Sequence, residues 1–179
     1  PGSETTGWGV VEGTPRRYRM VDYGVVKANA RERFPARLLK IHAGVEAAIE
    51  KFRPDVCAVE EAFFAVNAQT ALKLGHVRGV VLLAAERAGV EIAEYAPRLV
   101  KQTVVGYGAA EKQQVQEMMR VLLKLKEPPT PFDASDALAV AVTHLHHASR
   151  PQVSKGKTAP ARARLEALLA ANPRRRAPR

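Results

Sequence analysis

From Thr130 to His147 the chain reads T-P-F-D-A-S-D-A-L-A-V-A-V-T-H-L-H-H, a long apolar run opened by Asp133 and Asp136, three residues apart. As a helix, this run projects both carboxylates from one face of its first turn. Two like charges held that close repel unless a cation lies between them, and a divalent metal ion is the usual answer. The same residues also suit a plain helix start. Thr130 is a good N-cap, Pro131 fits the first helical position, and an acid at the third resembles a capping box. Acidic residues in a first turn also answer the helix dipole. The remainder of the chain has to weigh metal binding against capping.

A length of 179 residues suits one domain with an appendage and is enough for a substantial core. The single cysteine, Cys57, lies in an apolar run, which excludes an internal disulfide and fits a reducing compartment. The longest apolar runs, Val80 to Ala85 and Ala137 to Val142, fall far short of the roughly 20 residues a membrane span needs. No stretch reads as a signal peptide, and the expected location is cytoplasmic. The net charge of +10 is unevenly placed. Residues 149–179 hold nine Lys or Arg against one acid, Glu166, a local +8, so the body at 1–148 is nearly balanced. The boundary divides a folded domain at 1–148 from a basic Pro- and Ala-rich tail at 149–179. That tail reads as a solvated arm, disordered or helical over 159–171.

Taken in order, 7–12 and 19–26 read as two strands of a hairpin around the Gly13-Thr14-Pro15 turn. Residues 35–52 repeat apolar positions at Leu38, Ile41, Val45, Ile49 and Phe52, predicting an amphipathic helix stopped by Pro54. Val56–Val59 is a short, wholly apolar strand of the kind buried in a parallel sheet, and it runs into Glu60. A second helix is predicted over 69–88. Its second half is apolar nearly all round, and Ala71, Gly75 and Gly79 form a small-residue stripe. Such a helix is buried on more than one side, against the sheet and either its own chain or a second subunit. Residues 90–96 make another strand. Gly106-Tyr107-Gly108 reads as a loop ahead of a helix at 109–125 with Val115, Met118, Leu122 and Leu125 inward. The order is that of an α/β fold with antiparallel and parallel parts.

Ligands of parallel sheets collect beyond the carboxyl ends of the strands, and Glu60 sits at one. A strand-end Glu is often only solvated. Combined with Asp133 and Asp136, however, it supplies three hard oxygen donors and no soft ones, which fits Mg²⁺ or Mn²⁺ rather than zinc. Oxygen-only sites of this kind handle phosphates, and paired metals clamp the attacking and leaving oxygens of a phosphodiester. Lys101 and Lys112 are either neutralising partners for that phosphate or ordinary surface lysines. His144, His146 and His147 read as a helix end placed favourably for the dipole. His144 lies about 12 Å along the axis from Asp136, too far for shared ligation.

Read together, P-G-S, T-G-W-G-V-V, A-V-E-E-A-F-F, N-A-Q-T-A-L-K-L-G-H-V-R-G, V-K-Q-T-V-V-G-Y-G-A-A-E-K and D-A-S-D-A-L-A-V-A-V-T-H resemble the RuvC Holliday-junction resolvases from Pro1 to about His147. The resemblance implies a ribonuclease H-like fold, a mixed five-stranded sheet flanked by helices. It further implies a homodimer and Mg²⁺-dependent symmetric nicking of two strands of a four-way DNA junction, with two metals per active site. Partnership with the bacterial branch-migration proteins RuvA and RuvB comes with it. Carried over by motif, Glu60, Asp133 and Asp136 become metal-binding and catalytic residues. Phe63 becomes an aromatic that stacks on a base near the cut, and Lys101 and Lys112 become DNA-binding residues near the scissile phosphate.

One departure stands out. The family pattern opens with a central strand ending in G-I-D-P-G-S, whose Asp is a fourth metal ligand. The present sequence starts at the Pro that follows it. Without that Asp the alternative is a non-catalytic junction-binding module. A ribonuclease H-like hybrid nuclease is a weaker third reading.

Overall fold

The structure is a computed structural model, described over residues 2–61 and 67–148. The predicted basic tail at 149–179 lies outside the described residues. Strands β1 (Thr5–Thr14) and β2 (Arg17–Lys27) form an antiparallel hairpin, with a register irregularity between Val10 and Val11. Helix α1 (Phe34–Phe52) leads to β3 (Val56–Glu60), and α2 (Ala68–Arg87) crosses over to β4 (Glu91–Tyr95). β3 and β4 pair in parallel from Val56↔Glu91 to Glu60↔Tyr95. Helices α3 (Pro97–Val105), α4 (Lys112–Leu122) and α5 (Phe132–Ala148) complete the order.

The four strands among the described residues form two two-stranded sheets, β1-β2 antiparallel and β3-β4 parallel, the mixture of antiparallel and parallel parts expected of this α/β fold. A cleft of about 690 Å³ runs between the two sheets, lined by Trp8 and Val10 of β1, Ala58 of β3, Phe52 of α1 and Val140 of α5. Helix α5 packs on strands of both sheets and so holds them in one body.

Two clusters make the core. One joins α3, α4 and α5 through Val100, Val104, Val115, Met119, Leu138 and Val142. The other joins α1 and α2 to β3 through Ile41, Val45, Ile49, Val77, Val81 and Val59. In α4 it is Met119, fully buried, and not Met118 that faces the core; the helix spans Lys112–Leu122 instead of 109–125. Helix α3, between β4 and the Gly106-Tyr107-Gly108 loop, has no counterpart among the elements expected from sequence. Pro97 at its start, Val100 and Val104 on one face, and Gly106 in a left-handed conformation after its end are the local signals. Helix α2 buries only one face within this chain, at Val77, Val81, Ala84 and Ala85. Gly75 and Gly79 look onto open space, so its second apolar side has no partner in the described chain.

Candidate active site

Two elements deliver the acidic side chains. β3 ends on Glu60, whose alignment is fixed by pairing with Tyr95 and continued by the Glu61 N–H donating to the Tyr95 carbonyl at 2.9 Å. Helix α5 begins at Phe132, with Pro131 just before it accepting from the N–H groups of Ala134 and Ser135. Pro131 therefore stands one place earlier than the capping reading put it. Asp133 falls in the first turn, Asp136 one turn on, and both line the same cleft as Glu60. β1 holds α5 there. Gly7 and Gly9 have no side chain where the helix crosses; a Cβ on Gly9 would lie 2.7 Å from a methyl of Leu138.

Lys112 joins them from the first position of α4, where the positive end of the helix dipole makes a cation unfavourable. Its Nζ lies 3.9 Å from Asp136 Oδ2, an attraction that offsets that cost. Helix α4 is capped independently by the Glu111–Gln114 box, with the Glu111 N–H donating to Gln114 Oε1 at 2.8 Å. Lys101, in the middle of α3, does not line the cleft, but its charge reaches both Glu60 and Asp136.

The electrostatics are those of crowded carboxylates. Burial pushes the Glu60 carboxyl above the ordinary range, and the charge of Asp136 adds to the rise. Burial likewise raises Asp136; Lys112 opposes the shift, and Asp133 reinforces it. Asp136 is thus electrostatically tied to both other acids and to both lysines. All three donors are hard oxygens short of cationic charge, which suits a divalent ion. In this conformation no three His, Cys, Asp or Glu side chains among the described residues close around a single point.

Phe63 lies outside the described residues. The histidines find partners away from the acids: His144 Nδ1 is hydrogen-bonded to the Tyr95 hydroxyl at 2.9 Å, and His147 Nε2 to Thr103 Oγ1 at 3.1 Å. His146 Nε2 meets the Tyr18 hydroxyl at 3.2 Å. These bonds tie the end of α5 to β4, α3 and β2. The glycines of β1 let α5 come close enough for its acids to share the cleft with Glu60. The spacing of Gly7 and Gly9, two residues apart on one strand face, is the signal for a close approach.

The α/β scaffold, in this order of elements, is of the ribonuclease H-like class of nucleases, and a strand-end acid, an acid pair opening a helix and a lysine share one cleft in it. The family model described as "Crossover junction endodeoxyribonuclease RuvC" matches residues 1–144. A protein of that name from Magnetococcus marinus is 49% identical over 146 residues, covering 82% of this chain and 81% of its own. One from Chloroflexus aurantiacus is 49% identical over 148 residues, covering 83% and 90%. In structure, the chain is similar to Thermus thermophilus RuvC in complex with a Holliday junction substrate, with a TM-score of 0.77 and 42% identity over 83% of this chain and 90% of that one. A second Thermus thermophilus RuvC structure matches with a TM-score of 0.73. The chain belongs to the RuvC family, whose nucleases are in general metal-dependent.

Proposed function

We propose that this protein is a structure-selective endonuclease that resolves four-way DNA junctions by nicking two strands symmetrically during recombination and repair. Family membership supports the enzyme over a non-catalytic junction-binding module. The observation that carries the site is the position of Asp136, which shares the cleft with Glu60 and Asp133 and stands 3.9 Å from Lys112.

In this reading Glu60, Asp133 and Asp136 hold Mg²⁺, or Mn²⁺ in its place, at two positions. A divalent cation held there supplies Lewis acidity to the phosphodiester and lowers the pKa of a water. The chain's own residues do the rest. Lys112 and Lys101 attract the backbone phosphate and offset its charge while the carboxylates stay ionised. Phe63 stacks on an unpaired base beside the cut.

A junction with two-fold symmetry calls for a two-fold protein, and the uncovered side of α2, with Leu72 and Leu83 exposed beside Gly75 and Gly79, suits the homodimer contact. Residues 1–148 form the nuclease domain and 149–179 a basic arm. The protein works in the bacterial cytoplasm with RuvA and RuvB. Among the described residues no helix is long and apolar enough to cross a membrane.

The test is Asp136→Asn on a synthetic four-way junction. Metal-dependent nicking falls by at least about a hundredfold while binding without metal persists. Nicking at the parental rate would remove Asp136 from the site.

A further inference from the structure

Arg37, in the first turns of α1, is 7% exposed, and no other charged residue among the described ones is as deeply buried. A guanidinium taken out of water needs partners for its donors, and an acid is the usual one. Glu4 is a poor candidate: its carboxylate lies 3.8 Å away and its side chain is 64% exposed. The Phe34 ring, 5.8 Å from the guanidinium carbon, covers one face. The close partner is a backbone oxygen. Arg37 Nε donates to the Ser3 carbonyl at 2.9 Å, and Nη2 donates to the same atom.

Ser3 belongs to the short irregular segment that leads into β1. Two further bonds fasten it: Thr6 Oγ1 donates to the Gly2 carbonyl at 2.8 Å, and the Ala28 N–H donates to the Glu4 carbonyl at 2.8 Å. The segment passes beside the acids, since a Cβ on Gly2 would come 4.0 Å from Asp133 Oδ1. Burying a charge against a single carbonyl gains little stability over an apolar side chain of the same size. What it does fix is where that segment lies.

We propose that Arg37 is a positioning residue of the nuclease centre, acting through the Ser3 carbonyl to hold the segment at residues 2–4 against Asp133. The inference rests on the nuclease reading above. Losing a group hydrogen-bonded to a metal ligand weakens metal affinity by about 10- to 100-fold, and the low end of that range is the upper bound for Arg37, which acts through the backbone beside Asp133 and not on the carboxylate itself.

The test compares the full-length protein with Arg37→Ala and Arg37→Lys. Mn²⁺ binding is followed by electron paramagnetic resonance without DNA, alongside thermal unfolding and the metal dependence of junction nicking. Mn²⁺ binding weakens by up to about tenfold in Arg37→Ala. Nicking needs correspondingly more metal, with the rate at saturating metal within a few-fold of the parent. Arg37→Lys, keeping a cation and a donor, recovers part of the affinity. If Arg37→Ala does not fold, Arg37→Lys carries the test alone, weaker than the parent in Mn²⁺ binding. Unchanged Mn²⁺ affinity in the folded variants, with only the melting temperature lowered, would overturn the proposal. A parent protein that binds Mn²⁺ but nicks no junction would count against the resolvase reading and leave the Arg37 comparison intact.

Discussion

Gly7 of β1 and Asp133 of α5 meet backbone to backbone: a Cβ placed on Gly7 would fall 1.8 Å from the Asp133 carbonyl oxygen. No rotamer relieves that overlap, because both partners are main chain. The first acid of the α5 pair is therefore located by a strand more than a hundred residues earlier. The hairpin and α5 form one mechanical unit, with Gly9 against Leu138 as its second point of contact.

Gly7→Ala is expected to push the start of α5 away from β1. Overpacking of this kind costs about 1–3 kcal/mol, read as a lowered midpoint in urea unfolding. Nicking activity should fall further than the folded fraction, because Asp133 and Asp136 move together. A variant with parental activity and stability would show that α5 does not depend on this contact.

The raised pKa values of Glu60 and Asp136 carry a pH signature. A carboxyl whose folded pKa exceeds its unfolded value binds protons more tightly when folded. Its stabilising contribution is complete below the ordinary carboxylate range and is lost as pH rises through the raised value. In EDTA, Asp136→Asn should therefore gain in melting temperature over the parent as pH climbs from about 4 to about 7. Added Mg²⁺ should narrow that gap by stabilising only the parent. A gap independent of pH would mean that Asp136 titrates normally.

Lys112 stands against Asp136 and is itself largely exposed, so its removal should disturb DNA contact more than folding. Lys112→Ala is expected to lower the slope of log affinity against log salt by about one in junction binding without metal. The nicking rate should drop with it. Lys101→Ala, from the neighbouring α3, tests the same property from the other side. Unchanged slopes in both would exclude phosphate contact.

On α2, Leu72 is 65% and Leu83 53% exposed, an apolar surface continued by Gly75 and Gly79 and left uncovered within the described chain. Leu83→Glu should convert a dimer into a monomer in sedimentation analysis. The stability of the single chain should change by no more than about 0.5 kcal/mol, since the site touches little within it. Paired nicking should become single nicking. A Leu83→Glu protein that sediments as the parent does would move the subunit contact elsewhere.

Local pattern fixed much of this molecule in advance. The apolar stripe Ile41–Val45–Ile49 carries a helical period, while the short apolar strand Val56–Val59 and the long apolar run after Asp136 are told apart by length, and each forms the expected element. The oxygen donors were legible because Glu60 ends a strand and Asp133 and Asp136 share a helix face. Helix α3 was harder to see, since nine residues give barely two turns and only Pro97, Val100, Val104 and Gly106 mark it.

Tertiary structure alone decided what lies next to what. No sequence period announces that Gly7 touches Asp133, that Lys112 reaches Asp136, or that Arg37 is buried on the Ser3 carbonyl. Those relations join residues tens to more than a hundred positions apart, and they depend on how helices cross strands once apolar faces are buried. Local propensities cannot encode such distances. Close packing of the whole chain sets them, and with them the charge balance that makes these acids and lysines a site.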